Sequence, residues 1–565
     1  MTQFRRRGKV YRRSGKLRPA GPDVIRPGLE GGAYQPLTPH DIERIHGTSL
    51  DVLADYGMAD PIPSCRELFL QNGATINSRG RLSIPASLVE EVLVSARREF
   101  KLCGYDPVHD IDVTGNRVHF SGSTAAVNVL DINTDVYRES TLTDVYDIAR
   151  VEDHLANMHF VHRPCIARDM PSAELLDINT AYALMNGTSK HFITSFFEPS
   201  HLEAAVKMFD MALPGSVCFR ERPVCTIVCA FVVSPLRFAA DSCRTFEAAV
   251  RCGMPIWAAS AGQAGATAPT ALAGALVQGN AECLAALVYA NLLSPGHPVI
   301  FGNWPFVSDL RSGAMCGGGE MAVMNAAAVQ LSHFYGIPVT VGAGVADSKV
   351  PDLQAGWERG YSTAMSGLAG GNVIVGAAGG QAALMGFSLE SLLIDNDMLG
   401  SVLRGVRGIE VNDQTLSYDV IGDVIDGPGH YLAHDQTLER MASDYVYPEF
   451  GNRDSIEVWQ EEKLVGGLYG VQMGQVFSGE SMFHTVSNAS KIAFHALVEH
   501  LYAIDIRLID AQVINEHTYN LGALMVPRSD YLKILKRLVS VPTLFEAKKW
   551  PKTPWTLPKT TSNSP

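Results

Sequence analysis

The chain has 565 residues, 46% apolar side chains and a formal net charge of −13, which allows one large domain plus smaller ones. No apolar run is expected to reach the ~18 residues of a membrane span, and no secretory signal precedes the first structured element. The ten cysteines are scattered. Cys225 and Cys229 lie in an apolar run without a second pair to complete a metal site, so they read as reduced core residues of a cytoplasmic protein that binds no metal.

In chain order, residues 1–35 carry a basic block (Arg5, Arg6, Arg7, Lys9, Arg12, Arg13, Lys16 and Arg18). Such a block reads as a solvated, disordered tail, with nucleic-acid or partner contact as the alternative. Residues 36–155 form an N-terminal helical layer with a small β element. Thr38, Pro39 and Asp41 mark an N-cap and first helical turn, a second helix is expected over Ser87 to Phe100, and Arg117 to Asp131 alternates as a hairpin would.

Over residues 156–453 a strand-and-helix rhythm sets in. The predicted strands are Phe160–Ala167, His191–Phe197, Val224–Val233, Pro255–Ser260, Pro298–Phe301, Ile337–Val341, Asn372–Val375 and Gly408–Val411. Helices are predicted between them, among others over Thr270–Leu293, Glu320–Phe334 and Leu389–Arg404. Near-continuous apolar strands alternating with helices indicate a parallel sheet buried on both faces. About eight such units fit a closed (β/α)8 TIM barrel better than an open doubly wound sheet.

Residues just past each strand then form the mouth. There stand Trp304, Phe306, Asp309 and Arg311 after the fifth strand, Asp347 and Lys349 after the sixth, and Gln381 after the seventh. The glycines among them read as tight turns and close packing; no GxxxxGK[ST] phosphate loop is present. Trp357 and Tyr361, one helical turn apart, either join this site or pack on the barrel. Asp309–Arg311 and Asp347–Lys349 read equally as ion pairs of the rim. His430 and His434, spaced i, i+4, allow either two metal ligands on a helix face or capping and packing, with no third ligand evident.

Four stretches of this region resemble the trimethylamine methyltransferase family, which includes glycine betaine methyltransferases without pyrrolysine. They are GATAPTALAGALVQGNAECLAALVYANLLSPGHPVIFG, SDLRSGAMCGGGEMAVMNAAAVQLSHFYGIPV, DSKVPDLQAGWE and GPGHYLAHDQTLERM, and the likeness spans roughly residues 35–455. The resemblance implies a TIM barrel and methyl transfer from a methylated amine to a corrinoid (cobalamin) carried by a partner protein, with no cofactor held tightly by this chain. A leaving tertiary amine is neutral, so a quaternary substrate requires no general acid; the enzyme desolvates and aims the cation. Aromatic faces such as Trp304 and Phe306 do this at about 0.5–2 kcal/mol per cation–π contact. Asp347 and Asp309 balance the ammonium, and Arg311 or Lys349 pairs with a substrate carboxylate. Members acting on trimethylamine carry pyrrolysine, whereas this sequence shows only standard residues. A quaternary amine such as glycine betaine, proline betaine, carnitine or choline is therefore expected, and a homo-oligomer with it.

Residues 454–545 have a second character. The motifs GGLYGV, GESMF, NASK and LIDAQ followed by NLGA resemble the C-terminal half of leucyl/phenylalanyl-tRNA–protein transferase, a GNAT-like α+β fold. The resemblance implies that Asp510 and Gln512 promote attack by the incoming amine, that Phe477 and Met482 line the amino-acid pocket, and that Trp459 and Glu480 lie near an aminoacyl-tRNA terminus. Ordinary core is the alternative for each apolar residue. The matching N-terminal half of that enzyme is not found, which leaves sheet edges to be covered. Residues 546–565 read as a disordered tail.

Overall fold

The computed structural model describes residues 2–5, 25–26, 29–309, 311, 314–427, 429–431, 434–447, 453–460, 463–514 and 516–539. They fall into two compact units, one of 23–409 with 446–448, the other of 1–22 with 410–445 and 449–565.

The larger unit is mixed α/β. Its parallel strands are Val161–His162, Phe192–Thr194, Cys225–Cys229, Ile256–Ser260, Val299–Asn303, Thr340–Gly342 and Val373–Val375. Parallel ladders join the first five in sequence order and the sixth to the seventh. A parallel bridge from Phe301 to Val339 joins the fifth to the sixth. The strands are short and almost wholly buried, as a sheet covered on both faces requires.

The predicted eighth strand, Gly408–Val411, is not a strand; it is irregular chain after the helix Leu389–Arg407. Residues 119–126, expected as part of a hairpin, pair with both the seventh and the first strand. Ser121 N donates to Ile374 O at 3.0 Å and Ile374 N to His119 O at 2.9 Å, while His159 N donates to Phe120 O at 2.8 Å and Ala125 N to Arg163 O at 2.9 Å. Every residue from Val118 to Thr124 is buried. Their main-chain groups need partners inside the protein, and the two flanking strands supply them. A true hairpin follows only at Asn128–Leu130 and Tyr137–Glu139.

The helices between strands carry the caps their sequences announce. Ser172, Asp352 and Ser388 each accept a hydrogen bond from the N–H three residues on, and Gly253, Gly336 and Gly370 end helices in the left-handed conformation. Leu272–Leu293 is long and apolar enough to cross a membrane by length and composition, contrary to expectation. It is buried without a break from Gly279 to Asn291 and so reads as a core helix. The helices Pro39–Asp51, Pro63–Gln71 and Ala86–Ser95 pack against it. The first of them opens on the predicted cap, a capping box between Thr38 and Asp41.

The smaller unit has its own core, including Ile456, Val458, Leu468, Phe477 and Leu497. Its sheet runs Thr2–Arg5, Arg453–Gln460, Lys463–Met473, Val476–His484 and Leu508–Asp510 in spatial order, antiparallel except for the last pair. The helix Ala489–Ala503 covers it. The expectation of a wholly unstructured N-terminal tail is corrected at three places. Thr2–Arg5 pairs with residues 457–460, Ile25–Arg26 with Asp110–Ile111, and Leu29–Glu30 with Arg117–Val118. In each case a strand edge with free main-chain groups recruits the segment, which its composition does not reveal. Most of the basic block and the tail 546–565 lie outside the described residues.

One buried group gives the larger unit a pH dependence. Glu152, near the end of the helix Leu142–His154, is fully buried, and an ideal Cβ on Gly122 would stand 2.2 Å from its carboxyl oxygen. The Lys190 ammonium donates to the Leu155 and Met158 carbonyls at 3.0 and 2.7 Å and so closes this helix end. Burial pushes the Glu152 carboxyl from its ordinary 4.5 up to about 8, against the opposing charge of Lys190. Between those values the unfolded chain releases this proton while the folded chain keeps it, so stability falls as pH rises through that window. In Glu152→Gln that part of the slope should vanish, read as melting temperature against pH.

Candidate functional site

Four buried rings meet at the parallel strands of the larger unit. Trp257, in the fourth strand, and Trp304, just past the fifth, meet edge to face with centroids 5.2 Å apart. His162 stands 5.4 Å from Trp257 on one side, and Phe306 stands 5.5 Å from Trp304 on the other, perpendicular to it. Two glycines make the room: an ideal Cβ on Gly302 would lie 2.2 Å from the Trp257 indole nitrogen, and one on Gly342 would lie 2.7 Å from the Trp304 ring. Burial, with Arg163 adding, holds His162 down to about 3, so it is neutral. Trp304 and Phe306 were expected at the mouth, and the structure brings them together. Trp257 and His162 were missed; Trp257 shares the inward parity of the fourth strand, the signal that could have found it.

Phe306 opens a small hairpin, Phe306–Asp309 with Ala314–Cys316, which pairs with Gln263–Ala264. Asp309 binds Arg311 at 2.9 Å, and the Arg311 side chain is 92% exposed. This is the rim ion pair left open above. The hairpin leads to Gly317, whose N–H donates to Asp347 Oδ1 at 3.0 Å. Burial raises the half-buried Asp347 carboxyl and Glu358 adds to this, while the Gly317 N–H and Lys349 oppose it. Lys349 turns its ammonium onto the Asp347 carbonyl rather than its carboxylate. Glu358 accepts from the Asp347 N–H at 2.7 Å.

Gln381 is fully buried, its amide donating to Ser391 Oγ at 2.7 Å. Its amide nitrogen is thereby tied to the helix that follows. Trp357 and Tyr361 stack at 5.6 Å, with Trp357 58% exposed. Burial raises the Tyr361 hydroxyl, and the charges of Glu358, Asp347 and Glu320 add. His434 caps the helix Asp435–Ser443, its Nδ1 accepting from Gln436 N at 3.1 Å, and His430 precedes that helix. The two imidazoles therefore share no helix face.

The smaller unit holds a cavity of about 470 Å³ lined by Glu480, Met482, Phe494, Asp510, Gln512 and Leu521, among others. Gln512 Nε2 donates to Glu480 Oε1 at 2.9 Å, and Tyr531 donates to Asp510 Oδ2 at 2.6 Å. Four of the six residues expected here come together. Phe477 lies in the core, and Trp459 bonds Glu457 at 3.2 Å; neither lines the cavity. Phe477 is fully buried beside Val476 at the start of its strand.

The glycine gaps are testable by stability. Gly302→Ala should cost about 1–3 kcal/mol, as overpacked core positions do. Gly319→Ala, where nothing lies within 4 Å of the added methyl, should be nearly neutral in the same urea denaturation.

Residues 5–465 match the family model described as trimethylamine methyltransferase (MTTB), and residues 439–536 match that of leucyl/phenylalanyl-tRNA protein transferase. The chain is 32% identical to trimethylamine methyltransferase MttB of Desulfitobacterium hafniense (strain DSM 10664 / DCB-2) over 73% of this chain and 83% of that protein. It is 32% identical to MttB of Methanosarcina barkeri over 74% and 84%. It is 28% identical to glycine betaine methyltransferase of Desulfitobacterium hafniense (strain Y51) over 76% and 89%. Among solved structures, dihydropteroate synthase of Xanthomonas albilineans aligns with 55% of this chain and 99% of its own at 11% identity and a TM-score of 0.34.

Proposed function

This chain belongs to the trimethylamine methyltransferase family, and we propose that it moves a methyl group from a quaternary amine to the Co(I) of a corrinoid carried by a separate cytoplasmic protein. The larger unit is read as a closed (β/α)8 barrel, with residues 119–126 as the eighth stave and the substrate at the C-terminal ends of its strands.

The observation that carries the reading is the edge-to-face pair of Trp304 and Phe306 past the fifth strand. A methylated ammonium has no N–H to donate once quaternary, so a site for it offers ring faces and removes water. Both rings are buried, at 7% and 4% exposure, so they are pre-set and their order is not lost again on binding. Asp347 and Glu358 supply negative charge on the same rim. The corrinoid supplies the nucleophile, and this chain's task is to hold the cation dry with one methyl presented outward. The residues present suit that division: they offer aromatic and acidic groups for a cation and leave the corrinoid to its carrier.

A second reading concerns the smaller unit, where Glu480, Met482, Asp510 and Gln512 share one cavity. In a GNAT-like segment this is the place for transfer of leucine or phenylalanine from aminoacyl-tRNA to a protein N-terminus.

Methyl transfer is measured by mixing the full chain with cob(I)alamin and one amine at a time and following loss of the Co(I) absorbance. Glycine betaine, proline betaine, carnitine or choline should react and trimethylamine should not. Silence with every quaternary amine, both with free cob(I)alamin and with a corrinoid protein, overturns the reading. Trp304→Ala should raise KM for the reacting amine about tenfold, the scale of one desolvated cation–π contact. Transfer of labelled leucine from tRNA to an Arg-terminal peptide, lost in Asp510→Ala, would establish the second activity.

A further inference from the structure

Past the seventh strand the chain turns in a conformation that L-residues avoid. Gly379 has φ +75°, and Ala382, Ala383 and Leu384 follow with φ +52°, +52° and +72°. Three consecutive side-chain-bearing residues in the left-handed region are costly, and such a turn persists only where its surroundings over-determine it.

The surroundings are two helices joined by one buried ion pair. Arg359, on Leu353–Ala369, and Asp395, on Leu389–Arg407, lie 3.2 Å apart, and their side chains are 2% and 4% exposed. Asp395 Oδ2 accepts from Gly379 N at 2.9 Å, and the Arg359 guanidinium donates to the Gly380 carbonyl. The two ends of the ion pair thus hold the start of the turn through an N–H and a carbonyl, and Gln381, tied to Ser391, adds a third hold.

The turn in its turn holds the neighbouring rim loop. Ala382 N donates to Ser348 O at 2.7 Å, and Ala383 N donates to Ala346 O at 2.8 Å. These bonds straddle Asp347. From the other side Glu358, the residue before Arg359, accepts from the Asp347 N–H, and Gln354 steadies that carboxylate at 2.8 Å. Adjacent residues of a single helix therefore restrain the loops after two successive strands. Tyr137 closes the set by donating to Lys349 O at 2.7 Å.

We propose that Arg359 and Asp395 are positioning residues that, by holding Gly379 and Gly380, keep the left-handed turn 382–384 in place and, through its two bonds to Ala346 and Ser348, fix Asp347 at the substrate mouth. The role at the mouth rests on the reading of the larger unit as an amine methyltransferase. The mechanical coupling does not, and it is read separately.

The test uses the full chain as wild type, Asp395→Asn and Arg359→Lys, with backbone amide exchange on the resting protein and methyl transfer from glycine betaine to cob(I)alamin. Arg359→Lys keeps the charge and loses the fork that spans Asp395 and Gly380. Either variant should speed exchange at 382–383 and at 347–348 together, about tenfold, with Val373–Val375 unchanged, as a local opening does. KM for glycine betaine should rise about tenfold while kcat changes less than about threefold, the pattern of a lost interaction that binds ground and transition state alike. Loosening confined to 379–384, with 347–348 still protected, overturns the proposal, as does a uniform loosening of every strand in both variants. If Asp395→Asn does not fold, Arg359→Lys decides alone. If the wild type transfers no methyl group from any amine, the functional reading fails while the exchange data still decide the coupling.

Discussion

The contact of Trp257 with Trp304 governs what the larger unit can present at its rim. The two indoles take up space that a strand residue with a Cβ at 302 or 342 would occupy. Once those positions are glycine, the rings have one way to pack, and Trp304 is fixed by the strand behind it rather than by a flexible loop. Phe306 then meets a stationary ring edge to face, a favoured aromatic arrangement. Beneath them His162 is kept neutral by burial and by the Arg163 charge, so no imidazolium opposes a cation above. If the proposed amine site lies here, its wall is organised before the ligand arrives, which is where a site that acts mainly by aiming and drying its substrate gains most.

Much of this architecture can be read from the chain. Strands Ile256–Ser260 and Val299–Asn303 announce themselves as short apolar runs between helices with clear caps, and the mouth residues follow from their places after strands. The stretch that pairs with both the first and the seventh strand does not announce itself. Residues 118–124 are small and polar as often as apolar, and they pair with strands that lie about 40 residues and about 250 residues further along the chain. Gly408–Val411 had the better local pattern, but a β-branched run is a strand only where an edge is free to receive it. The direction of the Gln381 side chain is a related case. Its place after a strand was right, but side-chain direction is set by the turn, and the left-handed residues that follow leave its amide facing Ser391. Arg359 and Asp395 were invisible as a pair because their proximity depends on two helices packing side by side.

The smaller unit shows the same limit. Its pocket residues come from Val476–His484 and from Leu508–Gln512, joined by a parallel pairing. The motifs located them, yet Phe477 sits in the regular ladder opposite Gln472 and is buried, whereas Glu480 is the extra residue where the register shifts. The edge expected to be bare is partly covered by Thr2–Arg5, more than 450 residues away in sequence. A segment read as tail from its charge thus acts as a strand through its main chain, which charge does not describe.

Charge at the rim decides what kind of ligand is compatible with it. The cations singled out by sequence are both engaged locally, Arg311 with Asp309 and Lys349 with a carbonyl of its own loop. The carboxylates are less neutralised. Asp347, Glu358 and Glu320 all act on the Tyr361 hydroxyl, and Glu358 adds to the burial that raises the Asp347 carboxyl. Bringing like charges together in a half-buried corner is unfavourable unless something positive shares it. An ammonium group does so, and its arrival would lower the Asp347 carboxyl back toward its ordinary range. An anion would meet the same corner as repulsion. On the proposed reading the rim selects by sign before the aromatic rings select by shape, and the loops that hold Asp347 set how sharply it does so.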